Sequence, residues 1–170
     1  MARSTATTAT TVTAASDCSA IVTGALGELM VAHQLTKRGW TVCVPMVGGN
    51  ASHFDLVAVK GQLAHRVQVK ASSRFCDTGA YVWGTSKGSG GKTAYSPADF
   101  DFIVLVFICE PALYLVMPVN VVSRVKTVKT KANGKYWPFH ERWDLLEPRA
   151  TTRQPEGGSL QGACESEVTP

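Results

Sequence analysis

Two short apolar runs, Phe54–Val59 and Leu63–Ala71, stand only three residues apart, and this constrains the chain more than any other feature. Both are of strand length and rich in valine. Lys60-Gly61-Gln62 between them leaves room only for a tight turn, so the pair reads as an antiparallel hairpin. The second run alternates. In Val67-Gln68-Val69-Lys70 the valines face one side of the strand, and Gln68 and Lys70 face the other. The first run opens with an acid, Asp55, and is apolar afterwards. A two-residue loop sets Asp55 opposite Arg66, diagonally near Gln68 and on its face. A three-residue loop sends it to the opposite face.

Upstream, Ile21 to Arg38 reads as a helix, with Val22, Ala25, Leu26, Leu29 and Ala32 as its apolar stripe. Asp17 or Ser19 can cap its start, and Gly39 ends it. Glu28, one residue before Leu29, falls at the margin of that stripe. Trp40–Met46 is a β-rich run and Val47–Ser52 a loop. Thr78 to Ser96, with Gly79, Gly84, Gly88, Gly90 and Gly91, reads as irregular. Phe102–Cys109 is a continuous apolar strand of the fully buried kind, and Leu113–Met117 is another. Pro118 opens a short helix, and Trp137 to Leu146 closes the core. This order predicts an α/β (α+β) domain with a mixed central sheet and flanking helices. The Ala/Thr/Ser-rich residues 1–17 and the residues 148–170, poor in large apolar side chains, read as disordered tails around a folded domain at 18–147.

Seventeen Lys and Arg stand against 13 Asp and Glu, a net charge of +4. The excess is concentrated in Arg124, Lys126, Lys129, Lys131 and Lys135, which points to an anionic partner. No apolar run approaches the ~18 residues of a membrane helix. The five cysteines are irregularly spaced, with Cys43 and Cys109 inside apolar runs as buried small hydrophobes. Neither they nor His33, His53, His65 and His140 show metal-ligand spacing. Residues 1–15 lack the apolar core of a signal peptide, so a reducing, cytoplasmic setting is expected. Ser86 to Thr93 resembles a phosphate loop superficially, but Ser86 stands where the motif needs Gly, and Pro97 breaks any following helix.

Asp55, Gln68, Lys70 and Glu28 are the residue types that phosphodiester hydrolysis needs. A hard cation such as Mg²⁺ takes oxygen ligands, which Asp55, the Gln68 amide and a backbone carbonyl near Val69 can supply. Lys70 can orient or help deprotonate an attacking water or stabilise phosphate charge, and Glu28, from the helix, can hold a metal-bound water or a second metal. Singly, each residue has a bland reading. A lone helix Glu is usually a surface residue, and Gln or Lys on a strand is usually the wet face of a sheet. Their joint order and shared face are what favour a site.

Gly24-Ala-Leu-Gly27-Glu28, then Leu35 and Gly39-Trp40-Thr-Val, then Phe54-Asp55 and Val67-Gln68-Val69-Lys70, resemble the motif order of the PD-(D/E)XK nucleases. The Gln-x-Lys form is similar to the branch containing cyanobacterial group I intron homing endonucleases and proteins like archaeal Holliday-junction resolvases. Tyr95-Ser-Pro-Ala-Asp99-Phe-Asp101-Phe, Leu113–Pro118 and Trp143-Asp144-Leu-Leu146 extend the resemblance over 24–146. It implies a restriction-endonuclease-like αβββαβ core and a divalent-metal DNA endonuclease using Mg²⁺ or Mn²⁺. Glu28, Asp55, Gln68 and Lys70 fall on its motif positions, with Asp55, Gln68 and Glu28 toward the metal. It also implies 5′-phosphate and 3′-hydroxyl products from duplex or branched DNA, and a homodimer or higher oligomer. Gln68 departs from the acid that most of the superfamily carries. Arg74, Lys87, Lys92 and Tyr95, after the second strand, are expected to line a DNA groove. Lys126, Lys129, Lys131 and Lys135, beside Tyr136 and Trp137, suit backbone contact and stacking. The alternatives are a junction-resolving nuclease and a nuclease-like fold that only binds DNA.

Overall fold

Helix α1 (Ala20–Lys37) starts where the Ser19 hydroxyl accepts the Val22 N–H at 3.4 Å, so Ser19 is the cap. The computed structural model describes residues 19–46, 53–76, 78–88 and 92–148. The expected loop at 47–52 and both expected tails, apart from Pro148, lie outside them. No helix among the described residues is long and apolar enough to cross a membrane.

Five strands form the central sheet: β1 (Thr41–Cys43), β2 (Leu56–Lys60), β3 (Leu63–Ser72), β8 (Phe102–Phe107) and β9 (Leu113–Pro118), adjacent in that order. β3 and β8 run parallel and the other pairs antiparallel, which makes the sheet mixed as expected. β2 and β3 meet at Lys60↔Leu63 across a two-residue turn, Gly61-Gln62. Gly61 has φ +60° and occupies the first central position, where a tight hairpin turn accepts glycine without strain.

The region read as irregular, Thr78 to Ser96, contains strands. β4 (Phe75–Cys76), β5 (Ala80–Gly84) and β10 (Thr127–Thr130) make a second, antiparallel sheet, and β6 (Ser86–Lys87) pairs with β7 (Thr93–Ala94). Among the described residues, β4 to β7 and no helix lie between β3 and its parallel neighbour β8. The basic segment at 126–135 holds β10. These ladders are short, and β10 finds its partner β5 far away in the sequence, so no local alternation announces them.

The core lies on both faces of the central sheet. Val67, Val69, Val104 and Val106 pack with Val31 and Leu35 of α1, with Trp40, and with Trp143 and Leu146 of the closing 3₁₀ turn. On the other face Ile103, Leu105 and Phe107 meet Trp83 of β5, Val128 of β10 and Val122 of helix α2 (Val119–Val122). The face of α1 differs from the expected stripe. Gly27, Val31 and Leu35 are buried, whereas Leu29 is 68% exposed and Ile21, Val22 and Leu26 also face outward. Cys43 is exposed on the edge strand β1, not buried, and Cys109 is half-buried.

Candidate active site

The four motif residues come together where β2 begins, beside the second half of β3. The chain reaches β2 with the Asp55 N–H donating to the Val67 carbonyl at 2.9 Å, so Asp55 sits beside Val67–Val69. It does not oppose Arg66, which pairs with Val57. Of the two loop lengths left open by the sequence, the structure has the two-residue one, and it brings Asp55 next to Gln68 with Arg66 paired elsewhere.

Asp55 Oδ2 accepts two hydrogen bonds, from the Val69 N–H at 2.7 Å and from Gln68 Nε2 at 2.5 Å. Gln68 Nε2 also donates to the Val69 carbonyl at 3.0 Å. Two oxygens, one carboxylate and one carbonyl, therefore converge on a single positive dipole end. Gln68 is 4% exposed and Asp55 half-buried, so the amide is screened from solvent while the carboxylate stays partly accessible. Lys70, half-buried, points to the same side of β3 as Gln68, since their partners on β8 are Leu105 and Ile103.

Electrostatics tie in Glu28. Its pKa is raised by partial burial and by the Asp55 charge, and Lys70 opposes that rise. Asp55 is also raised, by burial, against the pull of the Val69 N–H, Lys70 and the Gln68 amide. Both carboxyl groups thus carry an ionisation penalty that a bound cation would relieve.

The donor set fits a hard divalent cation. No group of three His, Cys, Asp or Glu side chains forms a metal cluster among the described residues. Here the acids are Glu28 and Asp55, and the set is completed by neutral oxygens. Turning the Gln68 amide about its last bond exchanges NH₂ for Oε1. Asp55 Oδ2, Val69 O and Gln68 Oε1 would then be the oxygens available to hold such a cation.

The expected DNA-groove residues divide. Arg74, Lys92, Lys126, Lys129, Lys131 and Lys135 are exposed, with Lys135 Nζ lying 5.2 Å from the Tyr136 ring centre. Tyr95 is not a groove residue. It is 4% exposed, packs edge-on against Phe100, and its hydroxyl is pushed up to about 12 by burial and by Asp55 and Asp99. Lys87 is committed to a salt bridge, with Nζ 2.8 and 2.9 Å from the two oxygens of Asp99.

Asp99 is the residue that the sequence reading missed. Its carboxylate is buried, accepts from the Ser96 N–H and hydroxyl, and lies 3.6 Å from His53 Nε2. Ser96-Pro-Ala-Asp99 is a Ser-x-x-acid spacing of the kind that closes a turn reciprocally, and it was legible as such. The network fixes the β6–β7 hairpin and the chain before Asp55 to the turn entering β8.

Residues 19–136 match the model of the PD-(D/E)XK endonuclease family. The chain belongs to this family. Protein 5.3 of Escherichia phage T7 is 34% identical over 85 residues, which are 50% of this chain and 70% of that protein. The solved structure of a bacterial homing endonuclease, I-Ssp6803I, is similar with a TM-score of 0.67 and 26% identity, over 76% of this chain and 93% of that one. The chain is therefore a nuclease on a restriction-endonuclease-like fold.

Proposed function

We propose that this nuclease is a divalent-metal-dependent DNA endonuclease, with Mg²⁺ the physiological ion and Mn²⁺ a substitute. The observation that carries this reading is the convergence of Asp55 Oδ2 and Val69 O on the Gln68 amide, with Lys70 and Glu28 alongside. A cation bound there would polarise the scissile phosphate and lower the pKa of the attacking water. Asp55, the Val69 carbonyl and the turned Gln68 amide hold the ion. The Lys70 ammonium, on the same side of β3, orients the water and offsets charge building on the phosphate. Glu28, held close to Asp55 by α1, completes the anionic side of the site.

The similarity to a homing endonuclease supports duplex DNA as substrate, with the exposed Arg74, Lys92, Lys126, Lys129, Lys131 and Lys135 meeting backbone phosphates. One site cuts one strand, so a homodimer is the assembly proposed for duplex cleavage. The nuclease domain is proposed to occupy residues 18–147. The test is cleavage of linear duplex and of four-way junctions, with and without Mg²⁺, by the wild type and by Asp55→Ala. Cutting of the duplex that requires both Mg²⁺ and Asp55 is expected. Preference for the junction would make the enzyme a resolvase, and cutting that survives Asp55→Ala would remove the site.

A further inference from the structure

Helix α1 approaches β3 more closely at Gly27 than a side chain would permit. A Cβ on Gly27 would lie 2.4 Å from Ala71 Cβ, 3.5 Å from Ala71 Cα and 3.7 Å from Val69 Cγ1. Ala71 has no rotamer by which to withdraw. On β3 it is paired with Val106 of β8, while the β2 ladder stops at Val67, so a side chain at position 27 would push the helix and this end of the strand apart. The demand is local, because a Cβ on Gly24 of the same helix meets nothing within 4 Å. Gly27 directly precedes Glu28, and Ala71 directly follows Lys70. The contact therefore sits between the two elements that carry Glu28 and Lys70, whose charges act on each other.

We propose that Gly27 is a positioning residue. Its missing side chain lets α1 seat on β3 and sets the distance of Glu28 from Asp55 and Lys70. This rests on the reading of Glu28 as part of the metal-dependent site. A methyl group at position 27 lifts the helix by about 1 Å, a displacement that costs ~10²-fold when it separates reacting groups. A glycine that served packing alone would also lose stability on substitution, but its effect would not depend on Glu28.

The test uses the full chain carrying Gly27→Ala, Glu28→Gln, both together, and Gly27→Ala with Ala71→Gly. Two readouts are taken: Mn²⁺ binding to the DNA-free protein by calorimetry, and Mg²⁺-dependent cleavage. Gly27→Ala is expected to weaken Mn²⁺ binding about tenfold, the scale on which residues supporting metal ligands act. It should slow cleavage about 100-fold. Ala71→Gly, which vacates the contested space, should restore both to within about threefold, and in the Glu28→Gln background Gly27→Ala should add less than about twofold.

Mn²⁺ binding and cleavage within twofold of wild type in Gly27→Ala would overturn the proposal, as would losses of equal size with and without Glu28. Should Gly27→Ala fail to fold, Ala71→Ser adds a single atom on the opposing side. The same Glu28-dependent loss is then expected, and no loss overturns the proposal. A wild type whose cleavage ignores Asp55 sinks the site itself. A wild type that needs Asp55 and Glu28 but tolerates Gly27→Ala sinks only the positioning role.

Discussion

Gln68 and Asp55 are joined by a 2.5 Å bond from the amide nitrogen to Oδ2, and the same nitrogen reaches the Val69 carbonyl at 3.0 Å. The amide thus stands between two oxygens that would otherwise repel each other. It is a neutral group doing electrostatically what a cation does more strongly.

Gln68→Glu replaces this donor with a second carboxylate. Without metal, two acids then share one buried point, and a loss of about 1–2 kcal/mol is expected. With metal, the added ligand charge should tighten binding about tenfold. Thermal unfolding with and without Mg²⁺, beside calorimetric Mn²⁺ titration, reads both. An unchanged melting temperature in the metal-free variant would show that the amide does not hold Asp55.

Asp55→Asn separates stability from activity. Burial pushes the Asp55 carboxyl up, so the folded state binds its proton more readily than the unfolded chain does. Stability therefore rises as pH falls through the raised folded value and levels off below the ordinary carboxylate range. The variant has no proton to take up and should lack this increment. At pH 7, where the wild type carries the full ionisation penalty, metal-free Asp55→Asn should be at least as stable as wild type, while cleavage falls by at least about 100-fold. Urea unfolding from pH 7 to pH 4 is the measurement, and a variant much weaker than wild type at pH 7 contradicts it.

Asp99 has the opposite sign. Burial pushes its carboxyl up, but the Lys87 ammonium and the Ser96 N–H and hydroxyl outweigh that and hold it below the ordinary value. Its contribution is full above the ordinary carboxylate pKa and is lost as pH falls through the lower folded one. Asp99→Asn should cost about 2–3 kcal/mol at pH 7 by leaving Lys87 unpaired. The gap between variant and wild type should close in the acid range, below pH 4. A gap that stays constant down to pH 2 would assign the loss to packing instead.

The exposed lysines of and around β10 can be tested through salt. Changing Lys126, Lys129, Lys131 and Lys135 to Gln should weaken duplex binding at every sequence alike. Each lost phosphate contact should flatten the slope of log affinity against log salt by about 0.9. Binding of catalytically inactive Asp55→Ala protein between 50 and 200 mM salt, roughly the range over which such contacts act, gives the slope. An unchanged slope would place the DNA on another face.

Much of the site was legible because it rests on interactions between near neighbours in the chain. Alternation alone put Gln68 and Lys70 on one face of β3. A glycine in a tight turn brought Asp55 to that strand, and Ser19 and Gly39 bounded α1. What could not be read depended on distant elements meeting. Val22, Leu26 and Leu29 make as good an apolar stripe on α1 as Gly27, Val31 and Leu35 do. The second set is buried because Gly27 lets the helix close against Ala71. The ladders of β4, β5 and β10, and the Asp99 network that occupies Lys87, likewise arise only once separated segments are side by side. Periodicity and capping act over a few residues and so are written in the sequence. Which face is buried, and which charge is paired, is decided by how closely elements can approach, and that is a property of the tertiary structure.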